Sequence, residues 1–147
     1  MAKMARISGS IEGLEDLRWT FRNLAPKEAR NLARVTQFAV AQKVRDVIRR
    51  NAPKDTGTLE KAIVAVRRRG TPDQPVSEVI VTRGKGQKHD AFYWFWQEFG
   101  TVKMPPQPFV IPSVEEVRPD LPVIYREQFG VKYQKLLARR AKQAGRK

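Results

Sequence analysis

Three short stretches of this sequence carry residue types that can do chemistry. Asp55-Thr56-Gly57 spells the triplet in which one carboxylate of a facing pair activates water for peptide hydrolysis. That reaction needs two such triplets in hydrophobic strand-to-loop settings, because two close carboxylates must share one proton. Here a single copy follows Pro53-Lys54 and leads into helix-favouring residues, so Asp55 or Thr56 reads as a helix cap and Gly57 as a point of backbone freedom. His89 has the chemistry of a general base, but it is the only histidine, and Asp90 beside it reads as another helix cap. Gly84-Lys85-Gly86 has the glycines and lysine of a phosphate-cradling loop without the Walker spacing or its strand-to-helix context. With no cysteine there is no thiolate nucleophile and no disulfide, and zinc would find only one histidine and carboxylates. No catalytic residue, metal, cofactor or small-molecule substrate is expected.

A second kind of chemistry is electrostatic. The 147 residues contain 29 Lys and Arg against 15 Asp and Glu, a formal net charge of +14. Such a balance favours an anionic partner, nucleic acid first, and also fits a solvated surface beside acidic neighbours. From Val131 to the end, Lys132, Lys135, Arg139, Arg140, Lys142, Arg146 and Lys147 face no acidic residue in the sequence. They either solvate a helix or meet DNA phosphate without reading sequence, in which case affinity falls steeply with salt. Lys85 and Lys88, in the glycine-rich stretch Gly84 to His89, are further candidates for such contact.

The third feature is apolar. Phe92-Tyr93-Trp94-Phe95-Trp96, Gln97-Glu98-Phe99-Gly100-Thr101 and Pro105-Pro106-Gln107-Pro108-Phe109 gather seven aromatics and three prolines into one segment. No Lys or Arg is interleaved between Phe92 and Trp96, so packing in a core or between subunits is favoured over base stacking. A turn at Gly100 and a proline arm would carry Phe109 away from the aromatic run to dock on a neighbour. Trp94, Trp96, Pro105, Pro106, Pro108, Phe109 and Pro112 are the expected subunit contacts. Glu98, between Trp96 and Phe99, is expected to be partly buried and satisfied by an arginine or by backbone N–H groups.

These stretches need a scaffold. The length fits one domain able to bury roughly 70% of its unfolded surface. The N-terminus lacks a signal peptide's apolar stretch and no run approaches a membrane span, so synthesis and use in the cytoplasm are expected. Arg6 to Ile11 alternates as a short strand or arm within residues 1–12, and Leu14 to Phe21 has helical spacing until Pro26, which fits a first helical turn. Lys27 to Asn51 predicts the longest helix, with Ala33, Val40, Val44, Val47 and Ile48 as its apolar stripe. A short helix through Leu59 to Ala62 follows, then two antiparallel strands, Ile63 to Arg69 and Val76 to Arg83. The aromatic run fits a helix capped by Asp90 and ending near Gly100, or a strand. Ser113-Val114-Glu115-Glu116 matches a capping box, and Pro119 and Pro122 bracket a second helix start at Asp120. Tyr125, Phe129, Tyr133 and Leu136 then predict a final helix to about Ala144, through Gly130. Without a repeat or dividing linker, the expectation is one α+β domain with a basic C-terminal helix at residues 131–147.

Two motifs resemble a known family. Ala52-Pro53-Lys54-Asp55-Thr56-Gly57-Thr58-Leu59 with Ile63, and Glu98-Phe99-Gly100-Thr101 with Met104-Pro105-Pro106-Gln107-Pro108-Phe109 and Pro112, are similar in order and spacing to signatures of the small tail-component proteins of lambda-like long-tailed bacteriophages, also described as neck, head-tail joining or tail-completion proteins. The resemblance covers roughly Leu14 to Val117. Gln107 and Ser113 depart modestly from the pattern, and the basic C-terminal segment lies outside it. The resemblance implies a non-enzymatic morphogenesis protein, a small antiparallel sheet flanked by helices, forming a closed ring that on the tail side usually has six copies. Its implied neighbours are the head-tail connector and the tail-tube or terminator proteins, its location the virion neck after assembly in host cytoplasm, with genomic DNA in the channel as a candidate anion. Pro53, Asp55, Thr56, Gly57, Leu59, Glu98, Phe99, Gly100 and Thr101 would then fix the motif turns. The alternative from another class is a non-specific nucleic-acid-binding protein using its C-terminal helix.

Overall fold

Pro26 opens the longest helix, α1 (Pro26–Asn51), where its missing N–H has no helical partner to lose. This computed structural model describes residues 22–71, 74–84, 86 and 88–145. The expected arm at 1–12, the helix at Leu14 to Phe21, Lys85, Arg146 and Lys147 lie outside the described residues. Leu32, Thr36, Ala39, Val40, Ala41 and Ile48 form the buried face of α1. That face is wider than the predicted stripe, of which Ala33, Val44 and Val47 are only half-buried.

A one-turn helix, α2 (Thr58–Ala62), leads directly into β1 (Ile63–Thr71), which pairs antiparallel with β2 (Gln74–Val81). Ile63 faces Val81 and Ala65 faces Val79 across the hairpin. The two-residue period of a strand therefore puts these four on one face, and Val79 and Val81 pack there against the buried Ile63. Three further helices follow: α3 (Trp94–Phe99), α4 (Val110–Val117) and, after a 3-10 turn at Arg118–Asp120, α5 (Leu121–Ala144). No described helix is long and apolar enough to cross a membrane.

Two apolar clusters hold these elements on α1. Ile48, Ala52, Leu59, Ala62, Ile63, Ala91 and Phe109 join the end of α1 to the hairpin base and to the start of α4. At the other end of α1, Leu24 and Leu32 pack with Phe129, flanked by Tyr125, Tyr133 and Leu136. The predicted row on the last helix is thus the seam by which α5 docks. The fold is α+β: a two-stranded antiparallel sheet with a long helix from the first half of the chain and a C-terminal helix.

Three expected caps are placed differently. The second helix is preceded by Gly57 in the left-handed region (φ 72°), with Thr56 Oγ1 only 3.4 Å from the Thr58 N–H and no side-chain cap. Asp90 accepts the Gly84 N–H at 2.9 Å and so closes the glycine-rich loop, while α3 begins four residues later at Trp94. Ser113 lies inside α4, which starts at Val110. At α4 the local cap signal loses because Glu98, from another helix, satisfies the first N–H groups, and at α3 nearby carbonyls of Ala91 and Tyr93 take that part.

Candidate functional site

Glu98 is the centre of the second motif. It lies in the last turn of α3, is only 3% exposed, and its carboxylate accepts three backbone N–H groups: Phe109 (2.7 Å), Val110 (2.9 Å) and Ile111 (2.9 Å). These are donors that the first turn of α4 cannot satisfy within the helix. The carboxylate also sits where the helix dipole is positive. Of the two solutions open in the sequence, backbone donors rather than an arginine satisfy this acid.

The segment between Glu98 and Phe109 is a closed loop. Gly100 has φ 74° and ψ 179°, a region essentially restricted to glycine, and a Cβ there would meet Pro106 N at 2.8 Å and Met104 O at 2.9 Å. Thr101 and Met104 exchange backbone hydrogen bonds, and Thr101 Oγ1 accepts the Met104 N–H at 3.1 Å. The Gln107 N–H donates to Gln97 O at 2.7 Å. The proline arm therefore folds back on α3 instead of carrying Phe109 outward. Phe109, expected on a subunit contact, is 2% exposed and part of this chain's own core. Gly100→Ala is expected to cost about 1–3 kcal/mol from backbone strain alone, read as a lower denaturation midpoint.

The first motif converges on the same place. Leu59 is buried beside Phe109 in one cluster, while Asp55 and Thr56 are exposed on the turn before it. Asn51 Nδ2 donates to Ser113 Oγ (3.0 Å) and Glu116 Oε2 (2.8 Å), and Ser113 Oγ donates in turn to Phe109 O. The Asn51 amide first, and then the Arg50 guanidinium, hold the Glu116 carboxyl below its ordinary value. The two motifs, far apart in sequence, are halves of one joint between α1, α2 and α4.

What the joint displays is aromatic. Tyr93 and Trp94 turn inward against the core, whereas Phe92 (56% exposed), Phe95 (50%), Trp96 (48%) and Phe99 (54%) face out. They form ordered pairs: Phe92 meets Trp96 edge-on at 5.6 Å between centroids, and Phe95 meets Phe99 at 4.6 Å. Val102, Met104 and Ile111 are exposed as well, on the adjoining loop and helix start, and so are Pro105, Pro106, Pro108 and Pro112. Of the expected contacts, Trp96 and the prolines are on the surface, Trp94 is half-buried, and Phe109 is not available. Sequence reasoning did not single out Phe92, Phe95 or Phe99 as the exposed set; the three- and four-residue spacings Phe92–Trp96, Phe95–Phe99 and Phe92–Phe95 carry that information once a helix is assigned.

The expected DNA-contacting residues divide. Lys132, Lys135 and Arg139 line a small cleft with Arg67 of the hairpin. Arg140 instead pairs with Glu28 of α1, and that bond raises its pKa. Lys142 is exposed near the end of α5, and Lys88 is exposed in the loop. Asp55 and His89, the candidates for catalysis, lie on separate segments, Asp55 on the exposed turn before α2 and His89 in the loop, its carbonyl accepting the Thr82 hydroxyl at 2.7 Å.

No curated protein and no solved structure matches the chain. The model of one family, described as "Bacteriophage HK97-gp10, putative tail-component", matches residues 15–100, more than half of the 147 residues. The matched span holds the long helix, the first motif, the hairpin, the aromatic helix and Glu98; the proline arm, α4 and α5 lie beyond it. The chain belongs to this HK97-gp10-like family of phage tail components.

Proposed function

We propose that this protein is a non-enzymatic building block of the tail neck that assembles with copies of itself into a closed ring, six copies favoured, joining the tail to the head connector. The observation that carries the reading is the set of four half-exposed aromatic side chains on α3 and the turn that leads into it, held on a frame that the Glu98 carboxylate clamps from behind. Contiguous exposed apolar surface of this kind marks an interaction site, and large aromatics at the centre of an interface supply most of its energy. A ring requires two different complementary patches per subunit, since each contact is head-to-tail. The aromatic face is one of them, with the exposed prolines at its rim. The adjoining connector and tail-tube proteins are the partners this role implies, and the virion neck its location.

The reading makes the interface and the core separable. Phe95→Ser/Trp96→Ser removes exposed rings, so it is expected to change the unfolding free energy by about 1 kcal/mol or less. The same variant should abolish self-association, because each lost aromatic anchor is worth about 2 kcal/mol or more. Light scattering on the purified wild type is expected to give a closed oligomer and on the variant a monomer of 16.9 kDa. A wild type that stays monomeric at high concentration, or a variant of unchanged oligomeric mass, would rule the α3 surface out as the subunit contact.

A further inference from the structure

The inner face of the hairpin changes character along its length. At its base Ile63, Val79 and Val81 belong to the core. The two-residue period of the strand carries the same face up to Arg67, and Arg69, just past Arg68 where the register shifts, lines the cleft at the tip. The Arg67 guanidinium stands 4.4 Å from the centroid of the Phe38 ring on α1, a cation–π contact that fixes this face against the helix. Between the hairpin tip and the first turns of α1 lies a cleft of about 850 Å³, into which α1 contributes Lys27, Arg30 and Arg34. A second cleft, of about 260 Å³, shares Asn31 and Arg67 with the first and is lined from α5 by Lys132, Lys135 and Arg139. Among the described lining residues the one carboxylate is Glu28, and Arg140 engages it. Arg68 also lines the first cleft, and Glu78 holds its guanidinium at 2.7 Å.

Like charges gathered in a concave site raise the local potential and draw in an anion. The arrangement also says what kind. Lys27, Arg30 and Arg34 recur at three- and four-residue steps on one face of α1, and Lys132, Lys135 and Arg139 do the same on α5. Each row thus places a cation about every 5 Å, one helical turn. Two rows joined through Arg67 suit a chain of repeated phosphates better than one small anion. A protein partner would meet an interface core depleted of charge, whereas this surface is most charged at its centre. The Phe38 ring is covered by Arg67 and so does not offer a stacking platform for a base.

We propose that this double cleft, with Arg34, Arg67, Arg69, Lys132, Lys135 and Arg139 as its cations, is a sequence-independent site for the phosphate backbone of duplex DNA. It lies on α1, the hairpin and α5, away from the aromatic helix, so it stands or falls independently of the ring contact. The test is fluorescence anisotropy of a labelled mixed-sequence duplex, titrated with the full-length chain over a series of salt concentrations. The wild type is expected to bind unrelated duplexes alike, with log affinity falling linearly in log salt. Arg34→Gln/Arg69→Gln/Lys135→Gln keeps Arg67 on Phe38 and removes three cations, so the salt slope should shrink by about 2.7 and affinity at low salt should fall at least about tenfold. Should that variant melt early, Arg69→Gln alone is expected to shrink the slope by about 0.9, while Lys142→Gln, outside the cleft, should leave it as in wild type. Cleft variants with wild-type slope and affinity overturn the proposal. So does a wild type that binds poly-glutamate more tightly than duplex at equal salt, which would assign the cleft to an acidic protein. Light-scattering mass should be the same for cleft variants and wild type, which keeps this outcome distinct from failure of the ring.

Discussion

Glu98→Ala is expected to lower the unfolding free energy by about 3–5 kcal/mol, seen as a fall of about 10 °C in the melting midpoint. The carboxylate accepts the N–H groups of Phe109, Val110 and Ile111 and is almost fully enclosed. Hydrogen bonds to a charged acceptor contribute about 1.5–3 kcal/mol each, and removing the carboxylate leaves the buried Phe109 N–H without a partner. The sum is less than three full bonds because Val110 and Ile111 are not fully buried and water can reach their N–H groups. Glu98→Gln retains the shape but keeps one carbonyl oxygen. Since Oε2 holds Phe109 and Val110 while Oε1 holds Ile111, about half the loss is expected. Chemical denaturation of the two variants separates these values; equal stability of Glu98→Ala and wild type would mean that α4 is held by its apolar contacts alone.

Phe109→Ala is expected to cost about 3–5 kcal/mol, the usual range for truncating a buried phenylalanine. Phe109 shares its cluster with Ile48, Ala52, Leu59, Ala62, Ile63 and Ala91, which come from α1, α2, β1 and two connecting segments and cannot all close over the vacated space. Much of this variant should be unfolded at physiological temperature, because total stabilities of single domains are only about 5–15 kcal/mol. Its failure to assemble would then report folding and not docking. Trp96 gives the opposite pair of outcomes: a fold that melts as wild type does, and no oligomer. Circular dichroism melts run beside light scattering distinguish the two, and a Phe109→Ala protein as stable as wild type would contradict the burial described.

Much of the scaffold was legible in the sequence. The long helix, the strand pair and the last helix through Gly130 were set by strong local periodicity, and their ends were marked by proline or by the Asn51-Ala52-Pro53 stop. The row Tyr125, Phe129, Tyr133 and Leu136 named the face of α5 that docks on α1. The second motif was harder. Proline spacing says that a segment is stiff but not which way it runs, so the arm read as projecting outward. Its actual course depends on Gln107 meeting Gln97 and on Glu98 reaching forward eleven to thirteen residues. The same long reach explains the misplaced start of α4. Ser113 looked like a cap by local pattern, while the true cap comes from another helix and leaves no signature within four residues. Nor does period alone reveal that Arg67 and Arg69 share a cleft with α1 and α5, since strand alternation gives a face and only packing says what that face meets.

Arg67 and Trp96 thus mark two surfaces of different chemistry on one subunit: a basic cleft on one side of α1 and an aromatic face at its far end. The proposed neck ring would use both kinds, apolar contacts to close on neighbouring copies and cations to meet the DNA proposed for the cleft. Six copies would carry about eighty positive charges, which repel one another unless DNA or acidic neighbours compensate them.

The most direct test is electron microscopy of particles produced when Phe95→Ser/Trp96→Ser replaces the wild-type chain in the phage genome that encodes it. Filled heads and separate, complete tails that fail to join are the predicted result, with the variant present in the lysate as a folded protein. Normal numbers of tailed, infectious particles would contradict the claim that this chain works by packing its aromatic face against a neighbour.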